Sequence, residues 1–568
     1  MTPLNDGAQP PRETPDLVGA YPHLNDEQLD RLRSFGTERP TSSEQVLVAT
    51  GERTDSLLFI LDGVVMTAED PEPDSAALAA HAAGSDPRVG VHGRGRFVGD
   101  VGAFEGQPSF LTVIVLESGR VLEVPFRELE RVARVNPVLG DIILRSCLVR
   151  RSLLIGIGAG MRIVGSCHLP RTRQLLDFVA RNRLPYRLID LDRDPHAEEV
   201  VRRLGIPRRD VPIVLLGRDR VLRRATPEKL AAALGIRAAR RTARTDLVVI
   251  GGGPGGLSAT LSAAADGLSV VLCDAVAVGG QSATTSLVEN YLGFPTGISG
   301  AELAERAHLQ VRKFGAQVTV PSRARHVEQQ AGELLVRVTG GGRLRARAVV
   351  VATGAWYRRL NVSGIDRVEP SSVFYAATMH EARICGTQPV VVVGGGNSAG
   401  QAALFLAESG SRVCLVVRDG SLDNDMSRYL IDRIADHPGI EVMLGTEVSE
   451  VLGESELDGV RVQPADGADR ELPARYLFVF IGTQAQSNWL PAEVGRDERG
   501  YVVTGSAPTG SPVWRDAGRQ PLPLETTIPG LFAIGDVRSG SVKRMSAAIG
   551  EGASVVRMVH DHLGPVRS

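Results

Sequence analysis

The stretch "DLVVIGGGPGGLSATLSAAADGLSVVLCD" (residues 246–274) has a glycine-rich turn between an apolar strand pattern and a helical pattern. Gly251, Gly253 and Gly256 form G-x-G-x-x-G. The first glycine allows a tight turn, the second lets a pyrophosphate approach the backbone, and the third lets helix and strand pack closely. The next strand ends at Asp274, whose carboxylate can accept hydrogen bonds from ribose hydroxyls. This pattern predicts an α/β dinucleotide-binding domain with the phosphates at the helix N-terminus.

A second glycine turn follows in "PVVVVGGGNSAGQAALFLAESGSRVCLVVRDG" (residues 389–420). Gly394, Gly396 and Ala399 form G-x-G-x-x-A, again directly after a strand pattern. The partner strand ends in Arg418, and an arginine there can pair with a 2′-phosphate, which favours NADP over NAD. Two dinucleotide sites in one chain predict hydride transfer from a nicotinamide to a flavin.

The overall composition indicates a multidomain protein that is nearly neutral. A chain of 568 residues is long enough for roughly three or four domains. Apolar residues make up 43% and charged residues 23%, and the net charge of -2 gives no general attraction to nucleic acid or to an anionic membrane.

Targeting, membrane and metal motifs are absent from the sequence. The N-terminus "MTPLNDGAQPPRETPDL" lacks the basic head and apolar core of a signal peptide. No apolar run reaches about 18 residues, the length that would predict a membrane span. The five cysteines are far apart and form no C-x-x-C, so we assign neither a metal site nor a disulfide framework. We therefore expect a cytoplasmic protein.

The part of the chain before residue 246 divides into three segments. Residues 1–155 contain short apolar runs separated by turns, which predict an antiparallel β-roll closed by a helix, with a loop over residues 68–87. Residues 160–235 alternate strand and helix patterns in the order β-α-β-α-β-β-α. Residues 236–245 are charged and lack apolar periodicity, which predicts an exposed linker.

Residues 246–568 resemble the low-molecular-weight thioredoxin reductases over nearly their whole length. The matching motifs are "GGGPGG", "GGQSATTSLVENYLGFPTGISG", "ATGAWYRRL", "GGGNSAGQAA" and "PGLFAIGDVRSGSVKRMSAAIGEGA". The resemblance implies two Rossmann-like domains: an FAD domain split into residues 246–360 and 485–568, and an NAD(P)H domain over residues 361–484. It also implies a homodimer in which the NAD(P)H domain alternates between two orientations.

The same resemblance implies the cofactor contacts. Those for FAD are Gly251, Gly253, Pro254, Gly256, Asp274, Gln281, Asn290, Ala352, Thr353, Gly354, Gly535, Asp536, Arg544 and Met545. Those for NADPH are Gly394, Gly396, Asn397, Ser398, Ala399, Arg418 and Arg428. One of the family's paired arginines is Val417 here, so NADH remains an alternative to NADPH.

The stretch "VFYAATMHEARIC" (residues 373–385) departs from the family, which carries a C-x-x-C pair at this place. Here the two positions are Ala376 and Met379, and neither side chain supplies the thiolate that disulfide exchange requires. His380 follows where the family has an acid. It can donate a proton, although a lone histidine is more often a structural residue. Cys385 has no neighbouring cysteine, so we expect no direct reduction of thioredoxin by the usual route.

Residues 160–235 resemble a thioredoxin or glutaredoxin domain without its dithiol. In "RDVPIVLL", Pro212 stands where such domains have a cis-proline, and the redox turn falls at "SCHLPRT". Cys167 takes the first redox position, but Pro170 takes the second, which excludes a dithiol cycle. Two alternatives stay open: a monothiol role for Cys167, or a scaffold that does no chemistry.

Residues 1–155 resemble a cyclic-nucleotide-binding domain in "LLFILDGVV" and "GRGRFVGDVGAFEGQPSFLTVIV". The family's ribose-binding glutamate is shortened to Asp100, and its phosphate-binding arginine is Ser109. Loss of the bidentate guanidinium argues against tight binding of cAMP or cGMP and favours another ligand or an interaction role. No helix-turn-helix pattern follows the roll, so we expect no DNA binding.

The whole chain thus resembles the flavoproteins that fuse a cyclic-nucleotide-binding domain to a thioredoxin reductase-like part, with a multidomain α/β fold. We predict an NAD(P)H-dependent FAD oxidoreductase that lacks its own dithiol and passes electrons to an unidentified acceptor, such as a partner protein. The N-terminal domain would regulate it. Two alternatives remain: a redox or nucleotide sensor with little turnover, and a disulfide reductase that uses Cys167 or a partner's thiols.

Overall fold

The computed structural model describes residues 13–16, 18–69, 89–104, 106–167, 169–192, 194, 202, 207–217, 220–236, 243–285, 287–289, 291–330, 332–375, 377, 379–454, 456–465, 467–506, 514–515 and 518–564. The chain divides into two compact units, Met1–Arg237 and Ala238–Ser568. Among the helices of the described residues, none is long and apolar enough to cross a membrane.

The first unit begins with a β-roll, as the short apolar runs predict. Its elements are α1 (Asp26–Arg33), β1 (Thr37–Thr41), β2 (Val46–Val48), β3 (Ser56–Ala68), β4 (Gly90–His92), β5 (Phe97–Val98), α2 (Val101–Phe104), β6 (Thr112–Pro125), α3 (Phe126–Val135) and α4 (Pro137–Ile157). The antiparallel sheet has the order β1-β6-β3-β4, with β2 paired to β6 and β5 to β3. Most of the predicted loop over residues 68–87 lies outside the described residues.

The long helix α4 closes the roll and has well-defined ends. The Asn136 side chain accepts a hydrogen bond from the Leu139 N–H (3.2 Å), and Pro137 occupies the first turn, where no N–H is needed. The helix ends at Gly158, whose left-handed φ of 65° suits a glycine. Near its C-terminus the helix buries two consecutive arginines, Arg150 and Arg151, which are 5% and 2% exposed.

The first unit continues with the predicted thioredoxin-like segment. Its elements are β7 (Met161–Gly165), α5 (Pro170–Arg181), β8 (Tyr186–Asp190), β9 (Ile213–Leu216), β10 (Arg220–Leu222) and α6 (Pro227–Leu234). The sheet order is β10-β9-β7-β8, with β7 and β8 parallel and the other pairs antiparallel. The Val211–Pro212 peptide bond is cis, which confirms the expectation for Pro212. The second helix predicted for this segment (residues 196–206) falls almost entirely outside the described residues.

The second unit contains two parallel-strand sheets and smaller antiparallel ones. Its elements are β11 (Ala243–Ile250), α7 (Pro254–Ala265), β12 (Val270–Cys273), α8 (Gly300–Lys313), β13 (Gln317–Thr319), β14 (Ala324–Gln330), β15 (Glu333–Val338), β16 (Arg343–Val351), β17 (Ala355–Tyr357), α9 (Ile365–Ser372), β18 (Val373–Phe374), α10 (Met379–Cys385), β19 (Pro389–Val393), α11 (Asn397–Glu408), β20 (Arg412–Val416), α12 (Arg428–Ala435), β21 (Ile440–Met443), β22 (Thr446–Leu452), β23 (Gly459–Pro464), β24 (Arg470–Pro473), β25 (Tyr476–Val479), β26 (Thr483–Ala485), β27 (Leu531–Ala533) and α13 (Met545–Leu563).

The first sheet of this unit carries the first glycine turn. Its order is β13-β12-β11-β16-β15-β14, and β27 pairs in parallel with β16. The C-terminal helix α13 packs on α7, where a Cβ on Gly552 would overlap the Gly255 carbonyl oxygen.

Strand β11 begins at Ala243, inside the predicted linker, because its backbone pairs with β16 from Leu344 onward. Backbone pairing does not require apolar side chains, so the hydrophobic pattern misses this start.

The second sheet carries the second glycine turn. Its five strands are all parallel, in the order β18-β25-β19-β20-β21. Strands β22, β23 and β24 form a separate antiparallel sheet. The short strands β17 and β26 pair with each other, with Ala355 opposite Ala485. The chain therefore leaves the first sheet and returns toward it along one two-stranded ribbon.

Candidate functional site

The first glycine turn forms a cradle that is closed at two positions and open at one. A Cβ on Gly251 (φ 107°) would overlap the Ala352 carbonyl oxygen, and a Cβ on Gly256 would overlap that of Gly251. At Gly253 the nearest atom to such a Cβ would be the Gly280 Cα, 4.0 Å away. The open side of Gly253 lies at the N-terminus of α7, where backbone N–H groups and the helix dipole favour a phosphate.

The second glycine turn repeats this arrangement. A Cβ on Gly394 (φ 142°) would overlap the Phe480 carbonyl oxygen, whereas a Cβ on Gly396 would meet only the Asp425 carbonyl oxygen, at 3.8 Å. Gly396 is the N-cap of α11, and Ala399 is fully buried. The residues present therefore fit two dinucleotides, one at each helix N-terminus.

Asp274 uses its carboxylate within its own loop. One oxygen accepts the Gly252 N–H (2.7 Å), and the other accepts the N–H groups of Val276 (2.9 Å) and Ala277 (3.0 Å). The carboxylate thereby fixes the glycine turn against the end of β12. Contact between the Asp274 carboxylate and a ribose stays a prediction. The ribose hydroxyls would donate to the carboxylate lone pairs that these three hydrogen bonds do not use.

Three other predicted FAD residues lie together beside the β17–β26 ribbon. Gln281 donates a hydrogen bond from Nε2 to the Ala355 carbonyl oxygen. Thr353 donates from Oγ1 to the Gln486 carbonyl oxygen (2.8 Å), and the Gln486 N–H donates to the Gly354 carbonyl oxygen (3.0 Å). Sequence reasoning missed Gln486, which carries no motif. Asn290 lies outside the described residues.

The C-terminal segment places Gly535 and Asp536 next to helix α13. The Gly535 N–H donates to Glu551 Oε2 (2.6 Å), and Glu551 also pairs with Arg538. Burial raises the pKa of Asp536, and Lys543 Nζ donates to its carbonyl oxygen (2.6 Å). Sequence reasoning missed Glu551, and the one available signal is that it is the single acid in "AAIGEGA". Arg544, which is exposed, and Met545, half-buried, stand at the start of α13.

The predicted NADPH arginines are exposed and loosely paired. Arg418 follows β20 and lies 3.7 Å from Asp419, and Arg428 begins α12 and lies 2.9 Å from Asp432. Such surface pairs contribute little, so a phosphate can replace them. The Asn397 side chain accepts hydrogen bonds from the N–H (2.7 Å) and Oγ (2.6 Å) of Ser427, which ties the glycine turn to the start of α12. Ser398 is exposed in the first turn of α11.

The structure describes only part of the segment in which the family carries its redox cysteines. Ala376 lies outside the described residues, and Met379 and His380 form the first turn of α10, without a description of their side chains. Cys385 ends this helix and is buried. Burial raises the pKa of Cys385, Cys273 and Cys414 to about 12 in each case. These are all the cysteines of the second unit.

In the first unit, the two residues that replace the cyclic-nucleotide contacts are engaged internally. Arg151 donates from Nε to Asp100 Oδ2 (2.9 Å) and from Nη2 to Oδ1 (3.1 Å). Ser109 donates from Oγ to the Leu111 carbonyl oxygen (2.6 Å). Both residues also line the cavity of the roll, and the prediction against tight binding of cAMP or cGMP stays a prediction. Cys167 is half-exposed, just before α5.

The buried His92 predicts an acid-sensitive first unit. It is 1% exposed, its Nε2 lies 3.2 Å from Thr67 Oγ1, and burial together with Arg150 and Arg96 holds its pKa well below 6.5. The unfolded chain takes up a proton near pH 6.5 that the folded chain does not. The free energy of unfolding therefore falls, by about 1.4 kcal/mol per pH unit, below about pH 6.5.

Hydrogen exchange of β3 and β6 peptides between about pH 6.5 and about pH 5.5 measures this slope, after correction for the intrinsic exchange rate. We expect the slope to be shallower in His92→Gln than in the wild-type chain. Equal slopes in the two proteins would contradict the assignment.

Comparison with known proteins supports both halves of this description. The model of the pyridine nucleotide-disulphide oxidoreductase family matches residues 245–552, and that of the cyclic nucleotide-binding domain matches residues 38–136. A thioredoxin reductase of Penicillium chrysogenum is 31% identical over 329 residues, 54% of this chain and 91% of its own length. A 34.2 kDa protein in the rubredoxin operon of Clostridium pasteurianum is 28% identical over 320 residues, 56% of this chain and 97% of its own length.

The crystal structure of T. acidophilum thioredoxin reductase aligns with 57% of this chain and 100% of its own length, at 26% identity and a TM-score of 0.51. The family match covers more than half of the 568 residues. The chain therefore belongs to the pyridine nucleotide-disulphide oxidoreductase family, as an NAD(P)H-dependent flavin oxidoreductase similar to thioredoxin reductases, with FAD and NADPH as its cofactors and a cyclic nucleotide-binding domain in its first unit.

Proposed function

We propose that the second unit passes electrons from NADPH through FAD to an acceptor that this chain does not supply, such as a partner protein. The observation that carries the proposal is the placement of its three cysteines: Cys273 and Cys385 are buried, Cys414 is half-buried, and burial raises the pKa of all three thiols. At neutral pH such thiols stay protonated, and the thiol itself does not attack a disulfide. The acceptor must therefore come to the flavin site.

The residues of the second unit bind and orient the two cofactors in this proposal. The open side of Gly253 and the N-terminus of α7 hold one pyrophosphate, and Gly396 with α11 holds the other. Gly535, whose N–H is fixed by Glu551, borders the first cofactor. When bound, the cofactors supply hydride and electron transfer.

Anaerobic mixing with NADPH, and separately with NADH, tests the proposal through the visible absorbance of the flavin. We expect rapid bleaching, faster with NADPH, and recolouring when an acceptor is added. A flavin that stays oxidised with both nucleotides would overturn the proposal in favour of a sensor with little turnover.

Arg418 and Arg428 determine the choice between the two nucleotides in this proposal. We expect the double change Arg418→Gln and Arg428→Gln to raise the KM for NADPH about tenfold, because each guanidinium pairs with the 2′-phosphate. The KM for NADH, which lacks this phosphate, should not change. Arg412→Gln, exposed at the opposite end of β20, is the matched control. An equal rise for both nucleotides would contradict the assignment.

A second candidate function is disulfide reduction through the first unit. The observation that favours it is the position of Cys167, which is half-exposed and lies just before α5. We expect Cys167→Ser to abolish any NADPH-dependent reduction of a model disulfide if this route operates, while flavin reduction by NADPH continues. Unchanged disulfide reduction in the variant would exclude it.

The proposal also includes a cytoplasmic homodimer whose turnover depends on the first unit. Light scattering on the purified full chain measures its mass, and a monomeric mass would contradict the dimer. Turnover with and without a bound ligand of the first unit measures the regulation, and equal rates would contradict it.

A further inference from the structure

The closing helix α4 carries a buried arginine, Arg151, that bonds both the β-roll and the thioredoxin-like segment of the first unit. Arginine stays protonated in proteins, and a buried cation without partners costs several kcal/mol. The charge therefore has to be satisfied inside the protein. Its partners come from two different parts of the unit.

On the side of the roll, Arg151 holds two residues that line the cavity, Asp100 and Gln107. Its Nε donates to Asp100 Oδ2 (2.9 Å) and its Nη2 to Asp100 Oδ1 (3.1 Å), the paired geometry in which a guanidinium binds a carboxylate strongly. Nη1 and Nη2 also donate to Gln107 Oε1, at 3.1 and 3.2 Å. A Cβ on Gly102 would overlap Arg151 Nη2, so the loop that carries these residues is packed directly on the guanidinium.

On the other side, Arg151 bonds the turn that ends helix α5 of the thioredoxin-like segment. Its Nη1 donates to the Arg183 carbonyl oxygen (3.2 Å). In the opposite direction, Arg183 Nη2 donates to Oγ of Ser152, the next residue of α4 (2.7 Å). Two hydrogen bonds therefore join α4 to residues 182–184, which we call the Arg183 turn.

The Arg183 turn has a backbone conformation that needs such support. The Arg183 N–H donates to the Ala180 carbonyl oxygen (3.1 Å) and the Leu184 N–H to the Val179 carbonyl oxygen (2.9 Å), the pattern that ends a helix around a left-handed residue. Arg183 has this left-handed φ of 49°, where glycine is the usual residue and a Cβ causes strain. Such a conformation persists only where its surroundings hold it, and the two bonds to α4 contribute to that hold.

We propose that Arg151 couples the wall of the roll cavity to the Arg183 turn, so that a change at Asp100 alters the end of α5. One guanidinium serves both sides, and the carboxylate that binds it at two nitrogens fixes its position. Without that charge the neutral amide of Gln107 does not replace the charge-assisted pair, and the bond to the Arg183 carbonyl oxygen weakens. Since α5 begins shortly after Cys167, the coupling reaches from the cavity to the helix that follows this half-exposed thiol.

Hydrogen exchange of the FAD-loaded full chain, resolved to single amides, tests the coupling. We expect Asp100→Asn, which removes the charge and keeps the size, to speed exchange of the Arg183 and Leu184 N–H groups at least about fivefold, the lower end of typical couplings between two sites. Asp141→Asn is the matched control, because this exposed carboxylate lies on α4 itself and pairs with Arg145 (3.1 Å). The control should leave exchange in the Arg183 turn unchanged.

A double-mutant cycle shows whether the effect passes through Arg151. In Arg151→Gln the Arg183 turn should already exchange faster, and adding Asp100→Asn should then change its exchange less than about twofold. Three results would overturn the proposal: an unchanged turn in Asp100→Asn, an equal rise in the turn and in β3 and β6, which would mean a general loss of stability, or full additivity of the two changes.

If Arg151→Gln does not fold, the exchange of Asp100→Asn and of its control still decides the question through the first two of these results. None of the three measurements depends on flavin turnover. The proposed electron transfer can therefore fail while this coupling stands.

Discussion

Gly253→Val is expected to produce a folded protein that no longer retains FAD. The position has ordinary extended backbone (φ -69°), and no atom lies within 4.0 Å of the new Cβ other than the Gly280 Cα at that limit. The valine methyl groups would fill the space in which the pyrophosphate approaches the N-terminus of α7. We expect FAD affinity to fall at least about 100-fold, equivalent to about 2.7 kcal/mol.

The flavin content of the purified variant and its circular dichroism spectrum measure this outcome. Gly467→Val is the matched control, since it lies in the loop between β23 and β24, where a Cβ meets only Pro464 at 3.8 Å. Full flavin content in Gly253→Val would show that the cradle does not hold the cofactor. Loss of the fold in Gly253→Val but not in the control would mean that packing requires the glycine.

Gly396→Val is expected to leave the flavin in place and to stop its reduction by NADPH. Gly396 also has extended backbone (φ -94°), and its Cβ would meet only the Asp425 carbonyl oxygen at 3.8 Å. The side chain would fill the second cradle, at the N-terminus of α11. We expect the rate of flavin reduction at low NADPH concentration to fall about 100-fold, because the phosphates lose their backbone contacts.

Stopped-flow reduction of the flavin is measured with NADPH and with dithionite, a chemical reductant. The comparison separates a loss of NADPH binding from a loss of the redox function of the flavin. Reduction by dithionite should be unchanged, because it does not need the nicotinamide site. The two valine variants serve as controls for each other, since each should lose one cofactor and keep the other. An unchanged rate with NADPH in Gly396→Val would contradict the assignment of the second cradle.

The two glycine turns could be predicted because their geometry is local. A Cβ on Gly256 would overlap the carbonyl oxygen of Gly251 in the same turn, so the spacing of the two glycines encodes this contact, and the family match agrees with the resulting prediction. The role of Asp274 shows where local patterns stop being informative. An aspartate at the end of a strand can bind a ribose or cap its own loop, and the sequence alone does not distinguish the two roles.

The contacts that join distant segments could not be predicted. Glu551 fixes Gly535 across a turn and a helix, and Arg151 pairs with Asp100, which lies 51 residues earlier. Such pairs depend on how the strands and helices pack, and no single arginine stands out in a sequence in which 61 of the 64 basic residues Lys and Arg are arginines (64 − 3 lysines).

The ribbon of β17 and β26 has a consequence for the evolution of this protein. Ala355 lies opposite Ala485 and Tyr357 opposite Thr483, and the Arg358 N–H donates to the Gly482 carbonyl oxygen (2.9 Å). Opposed Cα atoms in an antiparallel ribbon are about 5 Å apart, a gap that a two-residue turn can close. Residues 358–482 thus form a segment whose two ends meet, so recombination can exchange the part of the chain that carries the second glycine turn without cutting a strand of the first sheet.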